Sequence, residues 1–357
     1  MKNIHFKWKT VKIALISMML LIGVISTRVM VFVKINYDES FSRVEKPDPE
    51  YSGYLRYSDV ADAYERTEIA FESSGNVLKG HVYGSENDQG LVVLSPGLGF
   101  GSENYLAETM YFVDNGWRVL TFDNTGTHES EGESTIGPSQ SLLDLDAALT
   151  YIQGDQRLNI LPVMLYGHSW GGYAVTAILG SGFDIAAVAS IAGFNSPMEL
   201  VKEQSDSLLG AFSPIAYPFL WINQNMLFGK VAWVTATSGI NSTDTPVMII
   251  HGVNDESIAY DGAGIIAHSD EIINPNIVYK TCSTANHDGH NNLFESDAAS
   301  EYTKAKNLEY KEIYNRYDGE IPDDIKAEYY EGVDRFWTSE LDLDFMDEIN
   351  FFFEEEL

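Results

Sequence analysis

Hydrophobic and polar positions divide the chain into three stretches. In the first, residues 13–25 are apolar apart from Ser17, and after Arg28 the apolar character resumes to Val33, where Lys34 closes it. A span of roughly 20 such residues is long enough to cross the hydrocarbon core of a bilayer, and Arg28, near its far end, has the reach to snorkel toward the interface. The second stretch, to about residue 62, is polar, carries Pro47, Pro49 and Gly53, and reads as a linker. Beyond it, short apolar runs alternate with segments of helical spacing. The pattern predicts strands at 68–72, 78–83, 161–166, 246–250 and 277–282, and helices at 104–115, 139–152, 172–179 and 342–355. In the last helix Phe345, Ile349, Phe352 and Phe353 recur on one face. Such alternation predicts an α/β domain with a mostly parallel sheet covered on both faces.

Charge changes this picture in two places. Lys2, Lys7, Lys9 and Lys12 flank only the N-terminal side of the apolar run, which orients that end to the cytoplasm and the remainder outside. No small-x-small cleavage site follows the run, so an uncleaved signal anchor is expected, with a cleaved signal peptide as the alternative. The whole chain of 357 residues has a formal net charge of −31 although its first 34 residues are basic. That excess of carboxylates makes nucleic acid and anionic headgroups poor partners. At 45% hydrophobic residues the chain has ample material for a sizeable core. Cys282 is the single cysteine, which rules out an intrachain disulfide, and its strand position suggests a buried apolar role.

The candidate chemistry sits at the strand ends. Gly167-His168-Ser169-Trp170-Gly171 lies between a strand-like run and a helix-like run. This is the context of a nucleophile elbow, where flanking glycines allow a turn too tight for a Cβ and lift the serine above the sheet. A serine needs a histidine to take its proton and an acid to orient that histidine. Downstream, one strand runs into a loop with Asp255 and Glu256, and the next into a loop with His287, Asp288 and His290. The order serine, acid, histidine along the chain is that of the α/β-hydrolases. His287, Asp288 and His290 share one short loop, which supplies too few well-spaced ligands for a metal; neither metal nor organic cofactor is expected. His168 and His251 read as structural neighbours of the nucleophile and the acid, and His128 and His268 as surface residues.

From about residue 64 onward the chain resembles the α/β-hydrolases of the esterase, lipase and serine-aminopeptidase-like group. Besides the elbow, Leu91-Val92-Val93-Leu94-Ser95-Pro96-Gly97-Leu98-Gly99 resembles the third strand and oxyanion loop, with Pro96 where a histidine is usual. Asp123-Asn124-Thr125-Gly126-Thr127-His128-Glu129-Ser130 resembles the D-x-x-G-x-G-x-S loop, with Thr127-His128 replacing its second glycine. The resemblance implies Ser169 as nucleophile, Asp255 as acid, His290 as base, and the backbone N–H groups of Leu98 and Trp170 as oxyanion donors, with Gly167 and Gly171 as the elbow glycines. It also implies a lid at about 194–243, rich in Leu208, Phe212, Trp221, Met226 and Trp233, which packs onto the core or forms one wall of an acyl pocket. A second, acidic and tyrosine-rich insertion, at about 299–338, is expected as surface helices.

The resulting organisation is a basic cytoplasmic end at 1–12, a transmembrane signal anchor at 13–33, a juxtamembrane linker at 34–62 and an α/β-hydrolase domain at 63–357. The function implied is that of an extracytoplasmic serine hydrolase acting on a small-molecule ester or thioester through an acyl-enzyme. Serine peptidase, acyltransferase and a non-catalytic surface-binding module remain alternatives, and no pattern specifies an oligomeric state.

Overall fold

The computed structural model describes residues 2–357, without the side chains of residues 2–7 and 9. The charges expected of Lys2, Lys7 and Lys9 at the basic end therefore lie on side chains outside that description, as does Met1. A helix α1 (Lys2–Ser40) leads to a short α2 (Tyr57–Val60) and then to the strand-rich domain. That domain begins with β1 (Arg66–Ser73), β2 (Asn76–Tyr83), β3 (Leu91–Ser95), α3 (Leu106–Asp114), β4 (Arg118–Phe122), α4 (Gln140–Gly154), β5 (Val163–His168), α5 (Trp170–Ala177) and β6 (Ala187–Ile191). The lid region comprises α6 (Pro197–Leu209), α7 (Ser213–Phe228) and α8 (Ala236–Ile240). The chain then returns through β7 (Val247–Gly252) and β8 (Ile277–Cys282), and closes with α9 (Asp297–Arg316), α10 (Asp323–Glu331), α11 (Arg335–Thr338) and α12 (Leu343–Glu354).

All eight strands form one sheet in the order β1-β2-β4-β3-β5-β6-β7-β8. The pairs β1–β2 and β2–β4 are antiparallel and the rest are parallel. Strands β3, β5 and β6 are apolar along most of their length because helices cover both faces, as parallel sheets require. Side-chain alternation sorts the residues: Leu91, Val93 and Leu165 join α4 and α5 on one face, while Val92, Leu94 and Tyr166 join α3 and α12 on the other. Phe345, Ile349, Phe352 and Phe353 of α12 are all buried, following their helical spacing. The fold is that of an α/β-hydrolase, with the parallel strands β5, β7 and β8 ending on the same edge.

Two features depart from the sequence reading. The first helix does not stop at Val33 but continues to Ser40, through residues expected to be linker. Lys34 and Asp38 make an i,i+4 ion pair at 2.7 Å, and Val33 and Tyr37 bury on the opposite side against Val201, Ala216 and Leu220. The following segment is bolted down as well. Ser42 and Val44 bridge to Ser134 and Thr127, and the Arg43 guanidinium donates to the carbonyls of His128, Ser130 and Gly132 at 2.7–2.9 Å. The second departure is His128, expected at the surface but buried with a left-handed φ of 45° in the loop that Arg43 clasps. Helices α9–α11 form a surface layer after the histidine loop. They dock on residues 49–62 through Arg335–Asp59 bonds of 2.8 and 2.9 Å and a Tyr51–Tyr330 ring contact.

Candidate active site

Ser169 occupies the turn between β5 and α5 with φ 57° and ψ −112°, a conformation L-residues avoid. The crowding around it explains the glycines. A Cβ on Gly167 would run into the carbonyl of Gly171, and one on Gly171 into the carbonyl of Ser95. Asp255 lies just beyond β7, and His290 in the loop after β8. The three side chains meet: Ser169 Oγ is 2.9 Å from His290 Nε2, and His290 Nδ1 is 2.7 Å from Asp255 Oδ2. All three residues are buried or nearly so.

The remaining valences of Asp255 are filled. Its Oδ1 accepts the N–H groups of Ser257 and Ile258, both at 2.8 Å, and its Oδ2 lies 3.2 Å from His251 Nε2. Burial alone would raise this carboxyl, but hydrogen bonds from His251 and His290 and the His290 charge outweigh it and hold Asp255 well below the usual carboxylate range. The rival groups turn elsewhere. His287 Nε2 pairs with Asp297 at 3.0 Å, Asp288 accepts from Asn254 at 2.7 Å, and Glu256 accepts the backbone N–H of His290 at 3.2 Å. The loop therefore sends His287, Asp288 and His290 in three directions rather than toward a common ion.

The oxyanion candidates flank Ser169. Trp170 is the first residue of α5, where the N–H has no intrahelical acceptor. Across from it, Gly97 brings the β3 loop close to the nucleophile: a Cβ there would lie 3.4 Å from the Ser169 Cβ. The Gly97 N–H is already taken by Tyr105 Oη at 3.0 Å, and the N–H of Leu98 follows it in the loop.

A buried relay unread in the sequence supports both sides of the site. Tyr105 Oη accepts from Gly97 and lies 3.0 Å from His168 Nδ1, while His168 Nε2 lies 3.0 Å from the His290 carbonyl. Burial, reinforced by the His290 charge, pushes the His168 pKa down to about 3, so the ring is neutral at physiological pH. A neutral ring fits only one way: Nδ1 accepts from Tyr105 and Nε2–H donates to His290. His168 stands beside the nucleophile as expected; Tyr105 carried no motif and only its helix was foreseen.

Above Ser169 opens a cavity of about 700 Å³, lined by Leu98, Trp170 and His290 on one side and by α6, α7 and the end of α1 on the other. The lid region thus both packs on the core and walls the cavity. No Asp, Glu, Lys or Arg side chain lines the cavity among the described residues.

The fold and the arrangement at the strand ends define an α/β-hydrolase. Comparison with known proteins agrees. A family model described as serine aminopeptidase, S33, matches residues 86–231. The chain is 24% identical over 257 residues to the uncharacterized protein YqkD of Bacillus subtilis (strain 168), covering 69% of this chain and 80% of that one. It is 26% identical over 149 residues to the lysophosphatidylserine lipase ABHD12 of Danio rerio, covering 41% of this chain but only 37% of that protein. The solved Pyrococcus furiosus esterase Pf2001 superposes with a TM-score of 0.52 at 16% identity, over 77% of this chain and 98% of the esterase. The chain has the α/β-hydrolase fold, and over residues 86–231 it is similar to a family of hydrolases.

Proposed function

We propose that the protein is a membrane-anchored serine hydrolase that faces the extracytoplasmic side and cleaves carboxylic esters or thioesters. Ser169 Oγ attacks the acyl carbon as His290 Nε2 takes its proton, and the N–H groups of Leu98 and Trp170 receive the oxyanion. Asp255 holds the imidazole through Nδ1–H. When the tetrahedral intermediate collapses, the bond to the leaving oxygen or sulfur breaks and His290 returns the proton to it. Water, deprotonated by His290, then attacks the acyl-serine, releasing the acid and restoring Ser169. The observation that carries this reading is the unbroken Ser169–His290–Asp255 hydrogen-bond line on a strained turn.

An ester is favoured over an aminopeptidase substrate by the uncharged cavity lining, which offers no carboxylate to pair with a free α-amino group. Similarity to a protein named as a lysophosphatidylserine lipase points the same way, toward an acyl ester. Helix α1 is long and apolar enough to cross a membrane by length and composition. Its packing through Val29, Val33 and Tyr37 supports an uncleaved anchor over a removed signal peptide. The test is labelling by a fluorophosphonate together with turnover of p-nitrophenyl butyrate. Wild type should be labelled and active, and Ser169→Ala neither; equal labelling of the variant would sink the assignment. Protease added outside intact cells should cut the hydrolase domain, and recovery of the protein as a soluble cytoplasmic species would refute the topology.

A further inference from the structure

The membrane helix is not joined to the hydrolase domain as a tether; its last turns form part of the substrate cavity. Phe32, Asn36, Tyr37 and Ser40 face the same space as Ser169. The contact is built rather than incidental. Gln224 of α7 donates to Tyr37 Oη at 2.8 Å, and any Cβ on Gly137 would collide with that hydroxyl. Phe41 packs its ring at a tilt, with centroids 5.5 Å apart, against Trp170, the residue beside the nucleophile.

At 1.5 Å per residue, the turns from Phe32 to Phe41 span about 14 Å. Their lower end coincides with the expected end of the apolar span at Val33, so the cavity starts where the bilayer surface would lie. Leu208, which lines this cavity, and Phe212, Ile215 and Met226 of the following turn and α7 are all apolar and more than half exposed. Exposed apolar side chains on helices that pack against a membrane-spanning helix suit contact with lipid.

We infer that α1 is the acyl-binding wall of the site: an ester whose acyl chain resides in the outer leaflet enters sideways, along the seam between α1 and the lid, and reaches Ser169 without leaving the membrane. The substrate class is accordingly a long-chain, membrane-resident acyl ester. This rests on the serine-hydrolase and anchoring readings above.

The full chain in phosphatidylcholine nanodiscs provides the test. A short ethyl fluorophosphonate first reports on the hydrolase reading by itself: if Ser169 is not labelled, that reading fails and takes this inference with it. With labelling established, turnover of p-nitrophenyl palmitate and p-nitrophenyl butyrate is compared between wild type and Asn36→Trp, which narrows the α1 wall. The palmitate-to-butyrate ratio of kcat/KM should fall about tenfold or more; an unchanged ratio, or equal loss of both activities, overturns the proposal. A second measurement needs no variant. A long-chain alkyl fluorophosphonate with a terminal diazirine, bound at Ser169 and irradiated, should crosslink to residues 29–41. Crosslinks confined to the lid, or none to α1, would overturn it as well.

Discussion

The two walls of the cavity are built on opposite principles. On the sheet side, Ser169, His290 and Asp255 are fixed by hydrogen bonds of 2.7–2.9 Å, and the glycines beside them stand where a Cβ would strike backbone. On the helical side, α1, α6 and α7 meet mainly through apolar contacts of Val33, Val201, Ala216 and Leu220, and the lid glycines Gly210 and Gly229 have open space around them. Charge transfer needs groups held to fractions of an ångström. Accommodating an acyl chain needs only apolar bulk, which any nearby segment can supply, even one from the far N-terminus. The first wall therefore tolerates almost no substitution, while the second has room to vary.

The largest effect should come from the histidine loop, where two residues three apart belong to different parts of the molecule. His290→Ala should lower the rate of acylation by at least about 10⁴-fold, as loss of a triad base does elsewhere. His287→Ala removes only a contact to Asp297 and should stay within about threefold of wild type. Single-turnover acylation of both variants decides this, and near-normal acylation by His290→Ala would move the base to another group. Next in size is Gly171→Ala. Its Cβ meets the backbone carbonyl of Ser95, so β3 or α5 must shift, and stability should fall by about 3 kcal/mol. Unfolding by denaturant measures it, and an unchanged midpoint would mean that the sheet wall is less tightly set than its geometry implies.

The same contrast governs what was legible in the sequence. The elbow was legible because only glycine fits at 167 and 171, so steric necessity is written as residue type. Strand β8 falls at Ile277–Cys282, where the apolar run placed it, and α12 buries the aromatic face its spacing predicted. The helical wall was not legible in the same way. Lys34, Asn36 and Asp38 read as polar linker, yet they are the outward side of a helix whose inward side is Val33 and Tyr37. A four-residue spacing of two apolar positions is too short a signal to extend a helix until the lid surface that buries them is known. His128 was misread because nothing local reveals that Arg43, far upstream, covers its loop. Tyr105 is one hydroxyl on a predicted helix, and its role appears only when Gly97 and His168 converge on it.

Tyr105→Phe tests whether the relay behind the sheet wall does more than pack. The substitution keeps the ring and strands two buried groups, the Gly97 N–H and His168 Nδ1. Stability should fall by about 2 kcal/mol, within the usual cost of orphaned buried polar groups. Since Gly97 precedes Leu98, the proposed oxyanion donor, and His168 holds the His290 carbonyl, kcat should also fall, by roughly tenfold on that energy scale, with KM little changed. A stability loss with unchanged kcat would make Tyr105 a purely structural residue.

The smallest effect compares one backbone conformation on both walls. Ser169 has φ 57° and ψ −112°, and Gly210, at the end of α6, has φ 52° and ψ −127°. Glycine adopts this region freely, whereas a residue with a Cβ bears a strain of about 1–3 kcal/mol. Ser169→Ala and Ser169→Gly both lose the bond to His290, so their difference isolates the Cβ. Glycine carries a greater entropic cost of folding, roughly 0.5–1 kcal/mol, yet Ser169→Gly should still be the more stable of the two by about 1 kcal/mol. On the lid, Gly210→Ala should lose stability by a similar or smaller amount, because the site is open and the turn between α6 and α7 can relax. Matched denaturant titrations of the three variants give the answer. If Ser169→Gly gains nothing over Ser169→Ala, the elbow stores no strain and the rigidity of the sheet wall comes from its hydrogen bonds alone. If Gly210→Ala costs more than the elbow's Cβ, the lid is the stiffer wall and the contrast between the two sides is reversed.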